Sequence, residues 1–151
     1  MFGDAVDCAG VRIHRRKWFP FQLPRYTMAP DGHIWFHPRS TAYRDDFSAE
    51  PLHWQGFFIH EMTHVWQTQA NGRWYLPLRR HPFCRYAYDF EPGRPLAHYG
   101  IEQQAEIVRH AFLLMRGAQG PGTATLAEYC AILPFAPFGA PSEIAAPHAN
   151  A

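Results

Sequence analysis

An α+β fold is predicted for this 151-residue chain, with two long helices and a small β region ahead of them. Three observations carry that expectation. Residues 51–71 combine a Pro start, helical periodicity and an Asn71-Gly72 stop. Residues 100–117 carry a second apolar stripe at helical spacing, again closed by a glycine. Between the turn Pro30-Asp31-Gly32 and Pro38 lies His33-Ile34-Trp35-Phe36-His37, rich in strand formers.

In chain order, residues 11–26 mix basic, aromatic and proline residues and read as one or two short extended segments. The basic run His14-Arg15-Arg16-Lys17 reads as a solvated turn or strand end. In the 33–37 strand, alternation puts His33, Trp35 and His37 on one face and Ile34 and Phe36 on the other. That strand is either an ordinary core-covering strand or the rim of a cleft where an extended peptide pairs with its edge. Asp45 and Asp46 fall in a polar connection, as solvated loop, caps or partners of a histidine.

The first long helix contains His60-Glu61-Met62-Thr63-His64. Residues four apart share a helix face, so His60 and His64 reach one metal ion together. Glu61, about 100° round the helix, flanks the ion without binding it. Two imidazoles on a metal with a carboxylate beside the fourth-position water is the geometry of a zinc hydrolase. Phe58, Ile59, Met62, Val65 and Trp66 form an apolar arc opposite the histidines, which leaves the histidine stripe, continued by Gln67 and Asn71, to face a cleft.

Residues 73–99 are irregular, proline-bearing and aromatic. Trp74, Tyr75, Phe83, Tyr86, Tyr88 and Phe90 either line a substrate cleft or pack the loop down. In the second helix Ile101, Ala105, Val108 and Phe112 make the apolar stripe, with Glu102 and Glu106 beside it and Arg109 placed to pair with Glu106. A shorter helix follows near 125–133. The organisation expected is one domain over 1–133 and a flexible, Pro/Ala-rich tail over 134–151.

Zinc held by two histidines needs a third protein ligand. A third histidine at the metzincin spacing is missing, since Ala70 stands there and Gln67 replaces the glycine of that pattern. Glu102 is the candidate ligand, the small Ala105 allowing the helices to approach, and Glu106 one turn on is placed to orient a ligand histidine. The reverse assignment of Glu102 and Glu106 stays open, as do His98 and Glu91.

His60-Glu61-Met62-Thr63-His64 followed by Glu102-Gln103-Gln104-Ala105-Glu106 resembles the gluzincin pattern, in which a downstream glutamate completes the metal site. The Glu-x-x-Ala-acid form is similar to that of membrane-embedded zinc peptidases, without their transmembrane helices. With the flanking Ile59, Val65-Trp66-Gln67, Ile101 and Ile107-Val108, residues 32–115 resemble small bacterial zincin-like proteins known as Vgr-related or Rhs-associated. That resemblance implies a zincin-like fold, bound Zn2+ and a link to the type VI secretion apparatus. The activity that follows from such a site is that of a metallopeptidase with Glu61 as general base. The resemblance does not define the substrate, and peptides, peptidoglycan-like cell-wall crosslinks and a self-processing site all stay open. The rival expectation is a zinc-containing adaptor in a secretion system, with no turnover. Tyr88, His98 and Tyr99 are available as oxyanion donors, and nothing in the spacing chooses among them.

Composition narrows the setting. Formal charge of +1 gives no argument for nucleic acid or an anionic membrane, and no apolar stretch reaches membrane-spanning length. The acidic N-terminus lacks an apolar signal core, and Cys8, Cys84 and Cys130 lack paired-ligand spacing. The expectation is a cytoplasmic protein with reduced thiols, or one exported without a cleaved signal peptide.

Overall fold

A computed structural model describes residues 1–80 and 84–135 of the chain, and its described part is α+β. Three short strands, β1 (Ile13–His14), β2 (Thr27–Met28) and β3 (Ile34–Phe36), precede helices α1 (Leu52–Asn71), α2 (Tyr75–Arg79), α3 (Ile101–Met115) and α4 (Leu126–Ile132). The expected tail from 134 falls largely outside the described residues. Phe135 does not: it is buried, its ring 5.1 Å from Phe2 and 5.4 Å from Trp66.

The strand order is β1-β3-β2, with β1 parallel and β2 antiparallel to β3. Ile13 faces Ile34 in register, and Thr27 faces Phe36. β3 is therefore central, and both its edges are already paired. The edge-pairing rim is thus corrected to a core strand: Ile34 and Phe36 are fully buried and Trp35 nearly so. Phe36 carries the sheet onto α1 through an aromatic cluster, packing with Phe47 and Phe57 while Phe47 stacks on Phe58 at 4.8 Å.

Local signals explain both ends of α1. Pro51 occupies the N-terminal cap, and Gln55 reaches back to the carbonyls of Ser48 and Glu50. At the other end the Gly72 N–H donates to the Thr68 carbonyl at φ +92°, where a side chain is disfavoured. Asp46 caps the short turn before α1 by accepting from the Ser48 N–H and hydroxyl, and Asp45 is exposed. α4 opens with a reciprocal cap between Thr125 and Glu128.

α1 and α3 pack antiparallel. Gly56 lies against Leu113 and Arg109, His60 against Glu106 and Glu102, and Gln67 against Ile101 and Gln104. The contact residues recur at spacings of three and four on both helices, as two packed helices require. This seam is polar and buried. The histidine stripe therefore faces α3 rather than an open cleft, which corrects the sequence expectation: His60 and His64 are buried, while Phe58, Ile59 and Trp66 of the apolar arc are only half-buried.

A Cβ on Gly56 would stand 3.0 Å from Leu113 Cδ2, so the residue sets how near the helices come. Gly56→Val should destabilise the protein by about 1–3 kcal/mol through overpacking. Urea unfolding checks this, and Leu113→Ala in the same chain should restore part of the loss.

Candidate metal centre

The seam's middle holds the site. Glu102 Oε2 is 3.3 Å from His60 Nε2 and 3.1 Å from His64 Nε2. One donor atom from each of these three residues falls within a 4.8 Å group, and all three residues are buried. Of the two carboxylates on α3, Glu102 is thus the one that joins both histidines. Glu106 Oε1 instead contacts the far nitrogen of His60, Nδ1, at 2.8 Å. Arg109 and His110 brace Glu106 at 3.2 and 3.5 Å. Of the other candidates, His98 is exposed and Glu91 pairs with Arg94 at 2.6 Å.

Gln67 decides the state of His64. Its amide nitrogen donates to the Ile101 carbonyl at 3.0 Å, and a carbonyl can only accept. Its amide oxygen therefore faces His64 Nδ1 at 2.8 Å and accepts from it. A neutral His64 then has its N–H on Nδ1 and its lone pair on Nε2, aimed at Glu102. In that tautomer two acceptors face each other across 3.1 Å, a contact that either a metal ion or a second proton on His64 would satisfy.

Charge argues the same way. Burial alone would lower the pKa of His60, but its contacts with Glu102 and Glu106 and the charge of Glu61 push it up to about 9. Burial of Glu102 opposes ionisation, yet the two histidines and Arg80 hold it well below the usual carboxylate range. In the metal-free chain a proton on His60 thus supplies positive charge that three carboxylates demand. Glu61 is buried, and its Oε2 has no hydrogen-bond partner among the described residues. An orphaned carboxylate oxygen normally costs stability, so it marks a place where a ligand is expected.

The donor set also fits zinc in kind and spacing. Bonds of about 2.0–2.1 Å around a tetrahedral ion place ligands roughly 3.3 Å apart. The two distances to Glu102, 3.3 and 3.1 Å, lie near that value, and the three donor atoms fall within 4.8 Å of one another.

One residue of this site carried no signal in the sequence. Arg80, just after α2, sets its Nε 3.1 Å from Glu102 Oε1. Gln67 was read on the histidine stripe and as a departure from the metzincin spacing, with no role of its own assigned. Tyr86, one of the loop aromatics, stacks on His60 with centroids 5.9 Å apart and planes at 19°. Tyr88 instead turns inward, its hydroxyl bonded to His110 Nδ1 and to the Tyr129 hydroxyl 2.8 Å away. Phe90 packs on Tyr129 at 4.5 Å, and Trp74 is exposed. Phe83 lies outside the described residues. The Tyr99 hydroxyl accepts from the Glu91 N–H.

No protein-family model matches the chain. The type VI secretion system spike protein VgrG2b of Pseudomonas aeruginosa is 44% identical to it over 120 residues, which span 75% of this chain and 12% of that protein. The solved effector domain of Pseudomonas aeruginosa VgrG2b aligns with a TM-score of 0.62 at 41% identity, covering 76% of this chain and 66% of that one. The chain therefore spans about an eighth of the curated relative's length and just under two thirds of the solved domain's. High identity and a shared α+β architecture together make this chain a homologue of the VgrG2b effector domain.

Proposed function

We propose that the chain is a zinc-dependent metallopeptidase with a zincin-like fold, its ion held by His60, His64 and Glu102, working in association with a type VI secretion system. The observation that carries this is the convergence of two imidazole nitrogens and one carboxylate oxygen in a buried seam, with the free Oε2 of Glu61 beside them. Homology to an effector domain of a secretion spike supports the association and makes a secretion-system protein the expected partner. A peptide or peptidoglycan-like amide is the substrate class.

Zinc bound by these residues would polarise a scissile carbonyl and acidify water, the chemistry that an amide bond otherwise lacks at neutral pH. The chain's own part is positional and protonic. Glu61 takes the proton of the attacking water and returns it to the leaving amine. Gln67 would hold the far nitrogen of His64 and so set its tautomer, and the Glu106 carboxylate lies 2.8 Å from the far nitrogen of His60, placed to orient that ring. Tyr86 covers the face of His60 and limits water there.

The adaptor reading draws on one observation, the burial of all three donors behind Arg80 and Tyr86. Both readings require zinc, and they part at Glu61.

Elemental analysis should find about one zinc per chain. His60→Ala and His64→Ala should each lose it, and Glu102→Gln should weaken binding more than Glu106→Gln, as read by titration with a chromophoric chelator. Full occupancy in both histidine variants would remove the site assignment; the reverse ranking of the glutamates would exchange their roles.

Glu61→Gln should keep zinc and fold. With a substrate found by peptide-library and peptidoglycan screening, turnover should fall by about 10²–10⁴-fold. Undiminished turnover in the zinc-loaded variant would refute Glu61 as the base. A chain that turns over no substrate in those screens, yet binds a secretion partner equally well with either residue, would be an adaptor.

A further inference from the structure

The segment 12–26 is built inside out. Gln22 is buried, while Phe21 and Leu23 on either side of it are 83% and 46% exposed. Trp18, Phe19 and Tyr26 are exposed too. This is not loose chain. The Gln22 side chain accepts from the Trp18 N–H at 2.8 Å and donates to the carbonyls of Tyr26 and Trp35 at 2.9 and 3.1 Å. Two successive tight turns, closed by Gln22 N–H to Phe19 carbonyl and Tyr26 N–H to Leu23 carbonyl, fix the backbone. A buried amide thus anchors the loop and holds its apolar side chains outward.

Charge follows the same segment. Arg12, Arg15, Arg16, Lys17 and Arg25 lie in it, and no acid occurs between Asp7 and Asp31. Taking these five from the 14 cations leaves nine against 13 acids, so the rest of the chain carries a net −4. The near-neutral total conceals a basic, aromatic segment in an otherwise acidic sequence, in which Arg15, Arg16 and Arg25 lie over the rings of Tyr43, Trp35 and Tyr26. At the loop's end Lys17 Nζ donates to the Pro20 carbonyl, which places a cation beside the exposed rings.

From this juxtaposition we propose that residues 12–26 form a peripheral membrane-binding loop, seating Trp18, Phe21 and Leu23 at the surface of an anionic bilayer while the adjoining cations meet its phosphate headgroups. Exposed bulky side chains, aliphatic as well as aromatic, are partitioned by an acyl boundary; Trp and Tyr prefer the headgroup level, and Lys and Arg gain from negative lipid. A polyanion without an apolar phase would satisfy the cations and leave Phe21 and Leu23 in water. No described helix is long and apolar enough to cross a membrane, so the contact would be peripheral. The inference is independent of the metal site.

Sedimentation of the full chain with vesicles tests it, using phosphatidylcholine with and without one quarter phosphatidylglycerol. The chain should pellet with the anionic vesicles, blue-shift its Trp fluorescence, and be released by 0.5 M salt. Phe21→Ser with Leu23→Ser should lower partitioning at least ten-fold, as should Arg15→Glu with Lys17→Glu. Both pairs are exposed, and circular dichroism confirms that the fold persists. A parent chain that stays in solution with both vesicle types overturns the proposal. So does equal partitioning of the Phe21/Leu23 variant. Binding to polyglutamate or duplex DNA without binding to vesicles would also overturn it, assigning the face to an acidic macromolecule.

Discussion

Glu102 is a carboxylate with 1% of its surface exposed, and the arrangement around it follows from keeping it charged. Burying an unpaired carboxylate is expensive enough that the group would otherwise take up a proton. Here two imidazoles and a guanidinium surround it. α1 must therefore present two histidines one turn apart, and α3 must come close enough for one short side chain to meet both. Gly56 permits that approach higher in the seam, and the chain after α2 returns to place Arg80 against the other carboxylate oxygen. Loss of one member would leave a buried charge uncompensated, a loss of about 3–5 kcal/mol in comparable settings.

Around that contact the side chains act as paired orienters. Gln67 links His64 to the first turn of α3 through the Ile101 carbonyl and Gln104. A neutral amide does what neither a carboxylate nor an ammonium could, accepting on one side and donating on the other. On the His60 side the contact passes to Glu106, then to Arg109 and His110, and from His110 to Tyr88 and Tyr129 on α4. Two described residues of the long connection dock on these helices, with Tyr86 stacked on His60 and Tyr88 bonded to His110 and Tyr129.

The molecule breaks the usual polar-out, apolar-in pattern in two places. Polar groups fill the α1–α3 seam, and apolar groups cover the outside of the 12–26 loop. In the loop the Gln22 side chain makes three hydrogen bonds, whereas the seam leaves buried polar atoms such as Glu61 Oε2 without a partner among the described residues. Such violations concentrate where a chain meets something other than itself. The seam gathers two imidazoles and a carboxylate, and the loop carries apolar side chains beside cations.

The boundaries of α1, α3 and α4 were legible in the sequence because they rest on local chemistry: Pro51 and Gly72, Gly117, and the Thr125–Glu128 cap each act within a few residues. That His60 and His64 share one face was legible for the same reason, since a four-residue spacing on a helix fixes a shared face whatever lies opposite. What lies opposite was not. Whether Glu102 or Glu106 meets both histidines depends on the rotation and height of α3 against α1, set by Gly56, Leu113 and the Gln67 bridge, and neither glutamate's own neighbours encode it. Arg80 reaches the site from the end of α2, and β3 lost its free edge only when β1 and β2 paired around it. Short-range steric and capping preferences are written in neighbouring residues; the choice among equivalent faces is made by contacts between residues that the sequence keeps far apart.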